Sequence, residues 1–555
     1  MAAPWALIEK FAHQHREQPE DANRGAEMIA EALRALGVPV TIHRPELFLS
    51  LPGPASVEAE GETFRAKPPA FCASMPDGVE AELLYVAEAS GGTPLDRNPA
   101  GSIAGLRGKI AVIEGFALPN FVAGLEAAGA AGVIAVNPGE MIHWGTVSTI
   151  WGTPEPADLD RLPRIPSAAV NNPDGQKLIA LAKRGGRARI RTELETGWFP
   201  QNLPVVEIPG TEAPEEFVLL HGHYDSWREG VGDNGTGNAC MLEIARVLWE
   251  GRDRLKRSVR LAWWPGHSTG RYGGSAWFAD TFAIDLAENC VAHMNCDSPG
   301  CRWATDYTSI SCMSETVDLV RQVVAEVTGQ AAHRKRPQRN SDYTFNNIGI
   351  SACFMASSMM TDAKRAEVGY YVVGGCGGNI AWHTEADTFE IADKDVLEKD
   401  IALYLEAVTR VANADILPID WRATAAEFSG TIAEYQQAAG DRFDLSAAAE
   451  ACAALTGALD RFHAALEGGQ IAASDANRVL KGLARILVPI NYTRGPRFTH
   501  DPALNVPPLP AIAPAAALDG IAADQMGFVQ AQVLRGRNRV VAALRDATQM
   551  VETAL

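Results

Sequence analysis

Several features that mark other protein classes are missing from this chain of 555 residues. No segment approaches the ~20 unbroken apolar residues that a membrane-spanning helix requires. Basic residues are outnumbered, with 49 Lys and Arg against 68 Asp and Glu and a net charge of −19. Binding to a nucleic-acid backbone requires a basic surface. We therefore expect neither a nucleic-acid partner nor a membrane.

Paired cysteines and an export signal are also missing. The nine cysteines are odd in number, scattered, and never spaced as CxxC, which favours reduced thiols over a disulfide framework or a zinc knuckle. The first residues, MAAPWALIEKF, meet a charge within nine positions and lack the basic start and long apolar run of a signal peptide. These features predict a cytoplasmic protein.

The residues that are present predict a globular chain of several domains. Apolar residues make up 47% and charged residues 21%, and this length favours about three to four folding units. Strand and helix patterns alternate over 1–50 and 200–418, which predicts an α/β domain with a mainly parallel mixed sheet. Short strands with many Gly and Pro over 51–199 predict an inserted β-rich module. Strand patterns nearly vanish over 419–555, which predicts a helical domain.

Candidate metal ligands collect where predicted strands end, which is where ligands bind in open α/β sheets. His223 and Asp225 lie two apart on one strand face, and Asp233 precedes a helix in a Gly-rich loop. Asp297 follows another strand, and His383 lies in a later loop. Each alone has a plainer explanation, such as a helix N-cap. Together, imidazole and carboxylate suit zinc or a similar divalent ion, with the Asp225 side chain accepting the free ring N–H of His223.

At these positions the sequence resembles the co-catalytic zinc aminopeptidase and glutamate carboxypeptidase family, especially its glutamate carboxypeptidase II and transferrin receptor branch. The matching segments are HGHYDSWREGVGDNGTG, MNCDSPG and WHTEADTFE. The resemblance implies that His223, Asp233, Asp297 and His383 bind one or two divalent ions, zinc above all, with Asp233 bridging. It also implies a protease-associated domain over 51–199 and a helical dimerisation domain over 419–555, hence a homodimer.

The resemblance breaks at the family's pair of adjacent glutamates. The first glutamate is the general base for the metal-bound water, and the second is a metal ligand. In the segment WPGHSTGRYG, His267 occupies the base position and Ser268 the ligand position. The first metal position keeps all its matched ligands, whereas the second keeps only Asp233 and His383. One firmly bound ion is therefore favoured over two.

Three interpretations of His267 follow. A neutral imidazole can act as a general base, or it can bind the metal in place of the lost glutamate. In the third interpretation it is a relic in an inactive binding protein like the transferrin receptor. We expect a hydrolase that cleaves an amide or peptide-like C–N bond of a small molecule by metal-bound water. The inactive binding protein and a metal enzyme of non-peptide C–N chemistry remain the alternatives.

Three further residues are candidates for the same site. Trp382 takes the place of a tyrosine that helps the tetrahedral intermediate in the carboxypeptidase branch, and its indole N–H can substitute. Glu385, two residues after His383, is a reserve general base. His221 lies on the same strand face as His223, although a structural hydrogen bond explains it equally well.

A basic run near residue 335 predicts either an anion clamp or a solvated loop. The clamp would bind substrate through Arg334, Arg336 and Arg339. The last long loop reads LNVPPLPAI, where the carboxypeptidase branch has its glutamate-binding Lys-Tyr pair. Glutamate specificity is therefore not expected.

Overall fold

The computed structural model describes residues 1–87, 103–353 and 358–555. The strands of this described part are, in chain order, β1 (Thr41–His43), β2 (Glu46–Ala59), β3 (Glu62–Ala66), β4 (Met75–Tyr85), β5 (Ile110–Glu114), β6 (Gly132–Val136), β7 (Ser167–Val170), β8 (Arg187–Pro200), β9 (Leu203–Ile208), β10 (Ala213–His223), β11 (Arg257–Trp264), β12 (Cys290–Asn295), β13 (Ala304–Asp306), β14 (Ser309–Ser311), β15 (His333–Lys335) and β16 (Met359–Met360). Its α-helices are α1 (Ala2–Phe11), α2 (Pro19–Ala35), α3 (Pro119–Ala127), α4 (Asn172–Lys183), α5 (Thr236–Glu250), α6 (Gly273–Thr281), α7 (Ala283–Asn289), α8 (Val317–Thr328), α9 (Asp362–Val368), α10 (Lys394–Asn413), α11 (Trp421–Ala439), α12 (Ser446–Glu467), α13 (Ala473–Tyr492) and α14 (Met526–Thr553).

A five-stranded sheet carries the residues of interest, in the order β1-β9-β11-β10-β12. Strand β10 lies between β11 and β12 and runs parallel to both. Its apolar run from Phe217 to Leu220 is buried, as expected for a strand covered on both faces. β1 and β9 pair antiparallel, as do β9 and β11. The expected mixed sheet is confirmed, but parallel pairs do not outnumber antiparallel pairs among these strands.

A second, seven-stranded sheet has the order β3-β2-β8-β4-β5-β6-β7. Along the chain, its strands come between β1 and β9 of the first sheet. Its long strands β2 and β8 pair from Glu46 opposite Pro200 onward. In the chain, β2 follows directly after β1, and β8 leads directly into β9. β1 and β9 pair with each other in the first sheet. This sheet has its own buried core, including Val57, Ile110 and Ile134. The chain thus leaves and rejoins the first sheet at neighbouring points.

The chain after residue 420 is helical and shares a core with the first sheet. Trp421 and Phe428 of α11 belong to the same buried cluster as Leu220 of β10. The Trp421 indole N–H donates to the carbonyl oxygen of Leu480 at 3.0 Å, which ties α11 to α13. Within the described part of the chain, no helix has an apolar stretch long enough to cross a membrane.

Arg485 of α13 joins the helical region to the first sheet. Its guanidinium donates to four main-chain carbonyl oxygens: those of Ala287 at 2.7 Å, Gly349 at 2.6 Å, Cys290 at 2.6 Å and Leu286 at 3.4 Å. Burial lowers the pKa of Arg485 to about 10, so the side chain stays charged at neutral pH. These hydrogen bonds satisfy carbonyl oxygens that the helical region covers and that water therefore reaches poorly.

Replacing Arg485 with Met should destabilise the protein by about 3 kcal/mol, because carbonyl groups lose charged donors where water has little access. The midpoint of urea-induced unfolding, followed by circular dichroism, measures the change. Arg478→Met on the same helix is the matched control, since the Arg478 side chain is 74% exposed and its loss should cost less than about 0.5 kcal/mol. Equal midpoints for the two variants would contradict the role given to Arg485.

Candidate metal centre

The carboxyl ends of the parallel strands bring the candidate ligands together. His223 is the last residue of β10, and Asp297 lies two residues after β12 ends at Asn295. His267 follows the end of β11, and Asp233 lies just before α5. Because these strands are parallel neighbours, their ends meet at one edge of the sheet.

The Asp233 carboxylate lies between two histidines. Its Oδ1 is 3.0 Å from His223 Nε2, and its Oδ2 is 3.2 Å from His383 Nε2. Asp297 Oδ1 lies 3.6 Å from the same His223 nitrogen. One carboxylate oxygen faces each imidazole, which is the arrangement needed for a carboxylate that bridges two neighbouring metal positions.

The protonation pattern of His223 fits a cation at this point. Its Nδ1 lies 2.9 Å from the carbonyl oxygen of Asp225, to which it donates, so a neutral ring carries its lone pair on Nε2. That nitrogen is buried and makes no hydrogen bond of good geometry within the described part of the chain, although it lies close to the Asp233 and Asp297 carboxylates. Although burial opposes a charge, the two carboxylates raise the pKa of His223 well above its usual value. Imidazole and carboxylate ligands together suit zinc.

His267 belongs to the same cluster. One ligand atom each from His223, His267 and Asp297 lie within 4.8 Å of one another. The rings of His267 and His223 stack, with centroids 3.8 Å apart and planes 18° from parallel. The Nδ1 of His267 lies 2.6 Å from Oδ2 of Asp342, a residue that the sequence did not single out. Although burial opposes ionisation, the neighbouring His267 keeps the pKa of Asp342 below its usual value.

Asp225 supports His267 rather than the ring of His223. Both of its carboxylate oxygens accept from the main-chain N–H of His267, at 3.1 and 3.0 Å. The expected contact from the His223 ring to this carboxylate is wrong, because Oδ1 lies 3.9 Å from Nδ1 of His223. The carbonyl oxygen of Asp225 takes that place instead.

Residues near the second sheet hold His383 in position. His383 Nδ1 lies 3.0 Å from the carbonyl oxygen of Trp144, and the Trp144 main-chain N–H donates to the carbonyl of His383 at 2.9 Å. Lys67 Nζ lies 3.2 Å from the centroid of the Trp144 ring and 2.7 Å from a Glu385 oxygen. Sequence patterns gave no reason to link Lys67 and Trp144 with His383, because both lie far from it in the chain.

The ion pair with Lys67 argues against Glu385 as a reserve general base. Its carboxylate bonds to Arg65 at 2.6 Å as well as to Lys67. Partial burial raises the pKa of Glu385, but the bond and charge of Lys67 outweigh it and lower the pKa overall. A carboxylate of lowered pKa accepts protons less readily, which argues against a reserve general base.

Two further side chains fix the loop that carries Asp233. Asp387 accepts from the main-chain N–H groups of Gly232 at 2.6 Å and of Asp233 at 3.0 Å. Burial raises the pKa of Asp387 to about 7. Asn234 joins both strand ends, because its Nδ2 donates to the carbonyl oxygens of His223 at 3.1 Å and of Cys296 at 2.9 Å. Both residues lie in the sequence motifs that contain the candidate ligands. Their position close to a ligand in the sequence is the only feature that could have predicted their role.

The remaining predicted residues take different places. His221 is buried and bonds to Trp264 at 3.0 Å and His293 at 3.1 Å, and burial lowers its pKa to about 4, so its role is structural. The Trp382 ring stacks on His383, with centroids 3.8 Å apart. Ser268 lines the cleft at the cluster. The other lining residues are His223, Asp225, Ser226, Trp227, Asp233, Thr269 and His383.

The expected anion clamp is wrong, because its arginines already have partners elsewhere. Arg334 and Arg336 both bond to the Glu427 carboxylate of α11, at 3.0 and 2.9 Å. Arg339 is buried, donates to the carbonyl oxygen of Asp501 at 2.7 Å and stacks on Trp151 at 4.2 Å. The basic run fastens this loop to the C-terminal part of the chain.

Comparison with known proteins gives partial sequence matches. The profile of peptidase family M28 matches residues 204–408, which include every candidate metal ligand. Carboxypeptidase Q of Mus musculus is 33% identical over 124 residues, which are 21% of this chain and 26% of that protein. The probable glutamate carboxypeptidase VP8 of Zea mays is 27% identical over 230 residues, 39% of this chain and 31% of that protein. The chain thus matches about a quarter to a third of the length of these curated relatives.

Solved structures show the same fold. BSAP, a zinc aminopeptidase from Bacillus subtilis, superposes with a TM-score of 0.55 at 20% identity, over 73% of this chain and 94% of the other. A peptidase M28 precursor from Shewanella amazonensis SB2B gives a TM-score of 0.58 at 18% identity, over 75% and 94%. The resemblance drawn from the metal motifs is confirmed to this extent: residues 204–408 match the profile of peptidase family M28, and the fold matches that of a zinc aminopeptidase.

Proposed function

We propose that this protein is a metal-dependent hydrolase that cleaves an amide or peptide-like C–N bond of a small molecule, with His267 as its general base. The observation that carries the proposal is the buried Nε2 of His223, which lies 3.0 Å from an Asp233 oxygen and 3.6 Å from an Asp297 oxygen. The match of residues 204–408 to the profile of peptidase family M28 supports the same class of reaction.

A zinc ion held by His223, Asp233 and Asp297 would supply a Lewis acid that polarises the scissile carbonyl and lowers the pKa of a water molecule. His267 takes the proton of the attacking water at its free ring nitrogen and passes it to the leaving nitrogen. Ser268 offers no carboxylate, so we propose one firmly held ion and a weaker second position beside Asp233 and His383.

The binding-protein alternative has less support from the site. Burying a charged carboxylate costs free energy unless a cation compensates it. A protein that binds no metal would therefore gain nothing from a buried carboxylate between two imidazoles. Here Asp233 faces both His223 and His383. The non-peptide alternative shares this site and differs only in the substrate.

For the rest of the chain we propose a protease-associated domain over 51–199 and a helical dimerisation domain over 419–555. The second sheet, with its own core, supports the first assignment. Exposed apolar side chains on α14 support the second, with Phe528 72% and Leu534 42% exposed. Twofold dimers commonly bury such side chains.

The metal site can be tested with two substitutions. Asp233→Ala should abolish most zinc binding, because it removes the carboxylate shared by both histidines. Ser268→Ala should leave the zinc content nearly unchanged. Elemental analysis of protein purified without chelator, together with zinc titration, measures both. A parent protein that holds no transition metal and takes up none on titration would refute the proposal.

His267→Ala should lower kcat by about 10²- to 10⁴-fold, the usual contribution of positioned proton transfer, and should leave the zinc content unchanged. Activity is measured on substrates found in a broad amide and dipeptide screen. A parallel loss of zinc would show that His267 is a metal ligand and not the base. A parent protein that turns over none of these compounds would favour the binding protein.

Restoring the family pair gives a complementary test. The double variant His267→Glu with Ser268→Glu should raise zinc binding toward two ions per chain, because a carboxylate again faces Asp233 and His383. Zinc titration by calorimetry measures the number of ions. A double variant that binds two ions but cleaves no peptide, while the parent cleaves another C–N bond, would favour the non-peptide alternative.

The protein should be a dimer at micromolar concentration, with about twice the 59.4 kDa mass of one chain by light scattering. Phe528→Asp should shift it toward monomer, because the charge would lie in the proposed interface. Ile284→Asp is the control, since Ile284 is 60% exposed and lies on α7 outside the helical domain. A parent protein with the mass of a single chain would exclude the dimer.

A further inference from the structure

We propose that Asp342 is the positioning residue for His267. Its buried carboxylate holds the Nδ1–H of the imidazole, so the ring presents Nε2 to the metal cluster. The contact is short, at 2.6 Å between His267 Nδ1 and Asp342 Oδ2, and Asp342 is completely buried. This inference rests on the proposed function, in which His267 exchanges a proton through its other nitrogen.

A chain of hydrogen bonds holds the Asp342 carboxylate in place. Its second oxygen, Oδ1, accepts from the Ser275 hydroxyl at 2.5 Å. The Ser275 and Thr344 hydroxyls are 2.8 Å apart, and the indole N–H of Trp151 donates to Thr344 at 3.1 Å. Each hydroxyl can therefore donate to the next group in the direction of the carboxylate. Both oxygens have a fixed partner, so the carboxylate has little freedom to turn away from His267.

Contacts on other sides fix the plane of the His267 ring but not its tautomer. One face stacks on His223, and the ring makes a T-shaped contact with Tyr272, with centroids 5.0 Å apart. The main-chain N–H is held by the Asp225 carboxylate. None of these contacts selects a ring nitrogen for the proton. An ionised carboxylate only accepts hydrogen bonds, so Asp342 requires the proton on Nδ1 and leaves the lone pair on Nε2.

The backbone at Asp342 is consistent with this task. Ser341 and Asp342 have φ values of 49° and 53°, in the left-handed region that side chains other than glycine seldom adopt. Asp tolerates this region better than most residues. The two consecutive residues turn the chain between Asn340 and Tyr343, where the Asp342 side chain reaches the end of β11.

The decisive experiment compares Asp342→Asn with Ser275→Ala in the zinc-loaded, full-length protein. An amide of the same size can donate as well as accept, so it no longer imposes one tautomer. Asp342→Asn should lower kcat by about 10²- to 10⁴-fold with little change in KM or zinc content. Ser275→Ala keeps the carboxylate and should lower kcat by less than about tenfold. Equal kcat values for Asp342→Asn and the parent would overturn the proposal.

A readout independent of turnover uses nitrogen NMR of protein labelled in its histidine rings, without substrate. The His267 signals are identified by their loss in His267→Gln. The parent should carry its ring proton on Nδ1 alone, and Asp342→Asn should show a mixture of both tautomers. A parent with the proton on Nε2 would overturn the proposal even if every Asp342 variant failed to fold. This test also remains decisive if the parent hydrolyses no compound in the screen, which would refute only the proposed function.

Discussion

The buried carboxylate of Asp233 is the charge on which the rest of the site depends. Taking an ionised carboxylate out of water costs several kcal/mol unless cations or hydrogen bonds compensate it. Here the compensation comes from His223 on one oxygen and His383 on the other. Although burial opposes it, these two histidines keep the pKa of Asp233 well below its usual value. The three side chains come from separate segments, so the fold must hold those segments in register.

Residues near the second, seven-stranded sheet help to hold His383 in register with Asp233. His383 lies in a loop, and loops do not by themselves hold a ligand to within a few tenths of an ångström. Two main-chain bonds to Trp144 fix this loop, and Lys67 packs over the Trp144 ring while it pairs with Glu385. The part of the chain that looks like an accessory module therefore supports one of the four candidate ligands directly. Residues 204–408 alone would lack these contacts.

The sequence predicted the candidate ligands because each stands in a short motif, and because His223 and Asp297 end neighbouring strands whose carboxyl ends meet. Asp342 has no such motif, and its importance appears only when the structure places it 2.6 Å from His267. The anion clamp predicted from the basic run is wrong for a related reason, because its partners also lie far away in the sequence. Spacing showed the charges of Arg334 and Arg336, but Glu427, which pairs with both, lies 91 residues beyond Arg336. Short-range patterns identify chemical groups, whereas long-range contacts decide which of them are free to act.

Charge balance explains why the change at His267 and Ser268 favours a single ion. Among the side chains that face the metal positions, Asp233 and Asp297 contribute two negative charges, and the imidazoles are neutral when they bind a metal. One divalent ion would balance the charge of these two candidate ligands, whereas a second ion would add two positive charges that neither of them balances. Of the other nearby carboxylates, Asp225 and Asp342 bond to His267, and Asp387 accepts from the main chain beside Asp233. Compared with the family's glutamate, Ser268 lacks both a metal ligand and a negative charge that would help to balance a second ion. This difference supports the proposal of one firmly held ion beside His267.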